Sequence, residues 1–280
     1  MGYIVCELDL IWPGGIIPFT ISETDFPDGS SSRETIVNAI SDWNLSNTGT
    51  LLRERVSDDD HGVEFRTGTA CSSHVGRDSN VATQSISCDL TRFGKGSVIH
   101  EIGHAAGLYH EHQRPMLPGK QAYILRLVDE NIDPDWRTNV ITRWRGWEFG
   151  PVDFNSIMCY SRTGGGKTDD SGNRLTTLIP FDGGEYGTGD DLNIAIGQRA
   201  ALSAGDIETL RMIYSRHISY GQAGYRIEYD SELDREGVRS YRVTVGTVLY
   251  WAWVPNRYGT DQRTLPVRLP ATVELATKKV

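Results

Sequence analysis

No apolar run in the chain approaches the roughly 18 residues that a membrane-spanning helix needs, which excludes a helical membrane span. Positive charge is not in excess either. The 28 Lys and Arg are outnumbered by 37 Asp and Glu, giving a net charge of −9, and a nucleic-acid backbone is excluded as a partner. Cysteine is sparse at four residues in 280, too few to staple a fold that lacks a core, yet an even number, as in an oxidising compartment. No internal repeat is visible. The opening Met-Gly-Tyr has no basic-then-apolar leader, so any targeting or pro-segment is expected to have been removed already. What is present suffices for one large domain with a small annex, since 38% of the residues are hydrophobic. Charge marks a boundary: from His217 onward nine Lys and Arg face seven Asp and Glu, so the negative excess lies before it.

Three of the seven histidines fall within eleven residues, in His100-Glu101-Ile102-Gly103-His104-Ala105-Ala106-Gly107-Leu108-Tyr109-His110. On a helix, His100 and His104 project from one face one turn apart, close enough for two ring nitrogens to reach one zinc ion. Glu101 lies beside that metal without being placed to ligate it, so it can hold a water and take its proton. Gly107 tolerates the left-handed conformation that ends helices, and the turn swings His110 round as third ligand. Three histidines leave the fourth tetrahedral position to water, the catalytic arrangement. His112 lies outside the pattern and reads as a solvated loop residue; His61, His74 and His217 have no ligand-like spacing.

The remaining pattern predicts a strand over 16–21, a helix capped by Ser32 and running to Trp43 with Ile36, Val37, Ile40 and Trp43 on one face, strands at Val63–Phe65 and Ser73–Gly76, and the histidine helix over Val98–Gly107. Residues 108–202 carry few regular signals, with Gly164-Gly165-Gly166 and Gly183-Gly184 marking flexible loops. Ser203 and Asp206 form a capping-box-like start to a helix through Tyr214. Beyond His217, Tyr225–Tyr229 and Tyr241–Val245 alternate with period two, and Val248–Val254 is aromatic. This predicts a small β unit over 216–280.

With Ser156-Ile157-Met158-Cys159-Tyr160 downstream, a methionine turn after the long histidine motif, the chain resembles the astacin family of zinc endopeptidases within the metzincins. Glu111 directly after the third histidine, Arg114, the opening Trp12-Pro13-Gly14-Gly15-Ile16-Ile17-Pro18-Phe19, the segment Cys71-Ser72-Ser73-His74-Val75-Gly76-Arg77, and Ile196-Gly197-Gln198-Arg199 with Leu202-Ser203 and Asp206 carry the likeness over roughly residues 3 to 215. The resemblance implies an α+β catalytic domain over 1–215. A twisted, mostly parallel sheet and the active-site helix make its upper half (1–107), above a cleft whose lower half (108–215) is rich in loops. It implies Zn2+ on His100, His104 and His110, Met158 as an apolar floor beneath them, Glu101 as catalytic base and Tyr160 as an extra, movable zinc ligand that leaves the metal to donate a hydrogen bond to the developing oxyanion. It further implies a substrate peptide extended along Ser72, Ser73, His74, Val75, Gly76 and Arg77, a Cys71–Cys88 disulfide, protein or peptide substrates, and secretion. An acidic residue after the scissile bond is common in the family, with Arg162 or Lys167 as candidates for the matching charge, although each reads first as a solvated side chain. Cys159 stands where the family's turn has histidine, Ser72 where its edge strand has tryptophan, and Met116 where aspartate is usual.

Cys6 and Cys159 are left over. They pair with each other, or Cys6 belongs to an inhibitory segment whose thiolate caps the zinc, or both are inert buried thiols. Two rivals to an active peptidase follow: a latent, self-capped form, and a noncatalytic binding relative. The second would be expected to lose the glutamate that this chain keeps at position 101.

Overall fold

The computed structural model describes residues 2–5, 7–114, 123–142, 144, 146–182, 190–217, 225–229, 238–245 and 248–255. In chain order the elements are β1 (Tyr3–Ile4), β2 (Ile16–Ile21), α1 (Ser31–Leu45), β3 (Leu51–Glu54), β4 (Gly62–Arg66), β5 (Ser72–Ser73), β6 (Thr83–Ser87), α2 (Lys95–Ala105), β7 (Tyr123–Leu127), α3 (Arg137–Ile141), β8 (Trp147–Glu148), β9 (Leu178–Asp182), α4 (Ala204–His217), β10 (Tyr225–Tyr229), β11 (Val238–Val245) and β12 (Val248–Pro255).

Five strands between Ile16 and Ser87 form one sheet in the order β3-β2-β4-β6-β5. The first four strands are parallel, and β5 runs antiparallel to β6 at the edge. Ile17, Val63, Phe65 and Ile86 are buried in one core with Ile36, Ala39, Ile40 and Trp43 of α1 and with α2. Ser30, rather than Ser32, caps α1: its Oγ accepts the Arg33 amide at 3.2 Å. Val37 is 50% exposed, so the buried stripe runs through Ala39 and not through Val37.

From Val98 to Ala105 every residue of α2 is buried, which makes it a core helix rather than an amphipathic surface one. It starts three residues before the sequence suggests because its N-cap, Gly94, makes no side-chain hydrogen bond and leaves no start signal. Its end is as read. Gly107 has φ +104; its amide donates to His104 O at 2.8 Å and that of Leu108 to Gly103 O at 2.9 Å, the paired bonds of a Schellman stop.

Residues 108–202 carry more pairing than their sequence suggests: β7 pairs with β9, and β8 with β1 from near the start of the chain, both antiparallel. Gly164–Gly166 is packed rather than loose. A Cβ at Gly165 would meet Val140 Cγ2 at 2.6 Å and one at Gly166 would meet Leu175 O at 2.2 Å, so the absence of side chains lets two segments close on each other. Gly183, Gly184 and Met116 lie outside the described residues. Strands β10, β11 and β12 form an antiparallel sheet and pair with no other described strand.

The start of α4 bears out the capping box. Asp206 N donates to Ser203 Oγ and Ser203 N to Asp206 Oδ2, each at 2.9 Å. The same buried carboxylate accepts Ser156 Oγ at 2.6 Å and the Ile157 amide at 3.0 Å, so it joins α4 to the methionine turn. Asp206→Ala strands these buried donors and is expected to destabilise the fold by about 3 kcal/mol or more, a fall in Tm of roughly 6–12 °C for a domain of this size. Thermal unfolding checks it; an unchanged Tm would contradict the role.

Candidate metal centre and cleft

The ligand atoms of His100, His104 and His110 all lie within 4.8 Å of one another. Each imidazole is fixed through Nδ1. His100 Nδ1 donates to Ile157 O at 2.8 Å, His104 Nδ1 to Leu108 O at 2.7 Å, and His110 Nδ1 to Gln113 Oε1 at 3.1 Å. These partners set one tautomer for all three rings and leave every Nε2 as a lone pair. Burial, as the main cause, lowers the His104 pKa to about 4 and holds His100 and His110 well below the ordinary value, so the rings stay neutral and able to ligate.

His104 Nε2 and His110 Nε2 are 3.1 Å apart. Two lone pairs at that distance repel unless a cation lies between them. Two nitrogens on a tetrahedral zinc at 2.0–2.1 Å sit about 3.3 Å apart, so the donor set fits zinc.

The floor beneath the rings is the methionine turn. Met158 is buried, and a Cβ on Gly103 would meet its Sδ at 2.7 Å, so the glycine between the first two ligands lets the turn close on the helix. Arg199 is a residue that the sequence offered only as part of a family segment. Its Nη1 donates to Ile157 O at 2.7 Å and Cys159 O at 2.9 Å, and the first of these carbonyls also holds His100. Behind His110, fully buried Arg114 donates to Glu111 Oε1 at 2.7 Å and Glu148 Oε2 at 3.1 Å, which pins the ligand loop to β8. Glu111 is three residues from Arg114, but the Glu148 contact and those of Arg199 with the methionine turn cross 34 residues or more, so no local signal announced them.

Glu101 is buried beside the imidazoles, and its Oε2 has no hydrogen-bond partner among the described residues. Burial raises its pKa to about 8, with Arg199 pulling the other way. Tyr160 is brought to the same place, its ring centroid 4.6 Å from that of His110. Burial first, and then the Glu101 charge, push its phenol up to about 12.

His112 is a correction. It is not solvated but fully buried, with its ring 5.0 Å from His110 and 4.3 Å from Tyr160. The turn after His110 folds inward under α3, so a residue read as loop surface becomes part of the wall.

The cleft consists of two adjoining cavities of about 370 and 340 Å³ that share His100, Glu101, Trp136 and Tyr160. Ser72, Ser73 and Val75 line the second. His74, Gly76 and Arg77 line neither, because Gly76 turns with φ +79 and Arg77 bonds back to Leu10 O and Asp9 O. The Cys71–Cys88 disulfide is formed and ties β5 to the end of β6. Cys159 is a free thiol buried in the lower core beside Val140, Leu178 and Ile196, and this corrects the pairing with Cys6. Cys6 itself lies outside the described residues. Arg162 and Lys167 donate to main-chain carbonyls at Leu192 and Glu130 and line neither cavity; Arg92, Arg174 and Arg199 line the first, Arg174 with one Nη1 bond to Gly166 O at 3.0 Å and Arg199 with its bonds to the methionine turn.

Residues 5–215 match the peptidase family described as Astacin. Tolloid-like protein 1 of Homo sapiens is 34% identical over 210 residues, covering 73% of this chain and 19% of that protein. Nematocyst expressed protein 6 of Nematostella vectensis is 29% identical over 234 residues, covering 81% of this chain and 72% of that protein. The chain thus spans about a fifth of the tolloid-like relative's length. Among solved structures, High choriolytic enzyme 1, a hatching enzyme zinc-protease from Oryzias latipes (medaka fish), superposes with a TM-score of 0.57 at 26% identity, covering 75% of this chain and 94% of that one. Family match, neutral convergent imidazoles and fold lead to one statement: the chain belongs to the astacin family of zinc metalloendopeptidases.

Proposed function

We propose that the chain hydrolyses peptide bonds of extracellular proteins, with Glu101 as general base. The observation that carries this reading is the unpartnered Glu101 Oε2 beside three convergent Nε2 lone pairs. Zinc, when held by His100, His104 and His110, supplies a Lewis acid that polarises the scissile carbonyl and acidifies a water. The open oxygen of Glu101 accepts that water's proton as it attacks and hands it to the leaving amine. Tyr160, kept protonated by burial, donates its hydroxyl to the oxyanion as negative charge develops. Edge strand β5 pairs on one side with β6, and an extended substrate adds to its other side, backbone to backbone, past Ser72 and Ser73. An oxidising, extracellular setting agrees with the Cys71–Cys88 bridge.

The test is azocasein cleavage that a zinc chelator abolishes and added zinc restores. A zinc-loaded, folded chain that cleaves neither azocasein nor a peptide library would overturn the reading. The arginines around the first cavity point to an acidic substrate side chain there. Library profiling of the wild type should enrich Asp and Glu at one position flanking the cut. Arg174→Ala should reduce that enrichment about tenfold, as expected for one charge-assisted hydrogen bond of about 1.5 kcal/mol; an unchanged profile would remove Arg174 from the subsite.

A further inference from the structure

His112 has two ring nitrogens, and both are used. Nε2 lies 3.2 Å from Asn139 O on α3, and a carbonyl can only accept, so that nitrogen carries the proton. Nδ1 is then a lone pair, and it accepts the backbone N–H of Tyr160 at 3.3 Å. The ring lies 4.3 Å from the Tyr160 ring at 34°, while on the tyrosine a Cβ at Gly164 would come within 2.8 Å of the Tyr160 Cβ. Tyr160 is thus fixed at its amide and packed between an imidazole and bare glycine backbone.

The same Asn139 carbonyl accepts Gln113 Nε2 at 2.9 Å, and Gln113 Oε1 receives the His110 Nδ1 proton. One carbonyl on a short helix therefore anchors the third zinc histidine through Gln113 and Tyr160 through His112. Trp136, the residue just before that helix, lines both cavities.

We propose that His112 is a positioning residue that sets the pose of Tyr160 toward the substrate oxyanion. It does so as a neutral acceptor clamped by α3, and not as a ligand or a proton carrier. The catalytic consequence rests on the reading of Tyr160 given above; the hydrogen bond does not.

The test pairs amide hydrogen exchange with a double-mutant cycle on the full chain loaded with zinc. His112→Phe keeps an aromatic ring but offers the Tyr160 amide no acceptor. Exchange at that amide should speed up on the order of tenfold while the α2 amides keep their protection. The kcat should fall about tenfold with KM held within twofold, and should fall no further in a Tyr160→Phe background, because residues acting through one group are not additive. His112→Asn, with an amide oxygen in the Nδ1 position, should recover most of both effects. If His112→Phe does not fold, His112→Gln, whose amide reaches the Nε2 position and not Nδ1, serves for the same readings. Unchanged exchange at Tyr160, or an equal loss of kcat with and without the tyrosine hydroxyl, overturns the proposal. Exchange reads the hydrogen bond without turnover, so a zinc-loaded wild type that cleaves nothing sinks the peptidase reading separately.

Discussion

Glu101→Gln is expected to lower kcat/KM on the order of 10⁴-fold, the upper end of what a positioned base contributes. The amide keeps the size and burial of the carboxylate but cannot accept a proton. The three imidazoles are held by the Ile157, Leu108 and Gln113 oxygens and not by Glu101, so the variant should retain stoichiometric zinc. Zinc content and single-turnover cleavage, measured on the same sample, separate the two roles. Zinc lost with activity would make Glu101 a structural support, and near wild-type turnover would end its assignment as base.

Tyr160→Phe is expected to cost roughly 10²–10³ in kcat with little change in KM, the pattern for removing one donor that acts on developing charge. The ring is held by His112, Gly164 and Trp136, the last at 6.4 Å between centroids, so loss of the hydroxyl alone should leave packing and Tm unchanged. A rise in KM with kcat preserved would instead give the hydroxyl a ground-state binding role. Steady-state kinetics on one good library peptide decide it.

The zinc histidines and the stop of α2 could be read from sequence because ligation and the Schellman turn impose spacings within eleven residues. The Ser203–Asp206 box was legible for the same local reason. What the sequence hid is long-range. His112 looked exposed because nothing beside it shows that Asn139 O, contributed by α3, covers it. Arg199 gains meaning from carbonyls in the methionine turn, and Arg114, beside its local pair with Glu111, from Glu148. The edge strand stops at Ser73, short of the Gly76 that its sequence suggests, since alternation does not reveal that Gly76 bends the chain away from the sheet. Val37 shares the helical period of the buried face of α1 and is nevertheless half exposed, because a period fixes a stripe but not its width.

Strand β1 joins β8 across about half of the chain, with Tyr3 opposite Glu148, and Tyr3 O also accepts the Tyr109 amide at 2.8 Å just before the third histidine. Closing so large a loop carries an entropic cost that only later contacts offset. The order of assembly follows from this. The sheet and its helices, built on shorter separations, can consolidate early, while the segment that delivers the third ligand waits for the chain start to arrive. In unfolding the same clasp is expected to open early, releasing His110 while His100 and His104 stay in an intact helix.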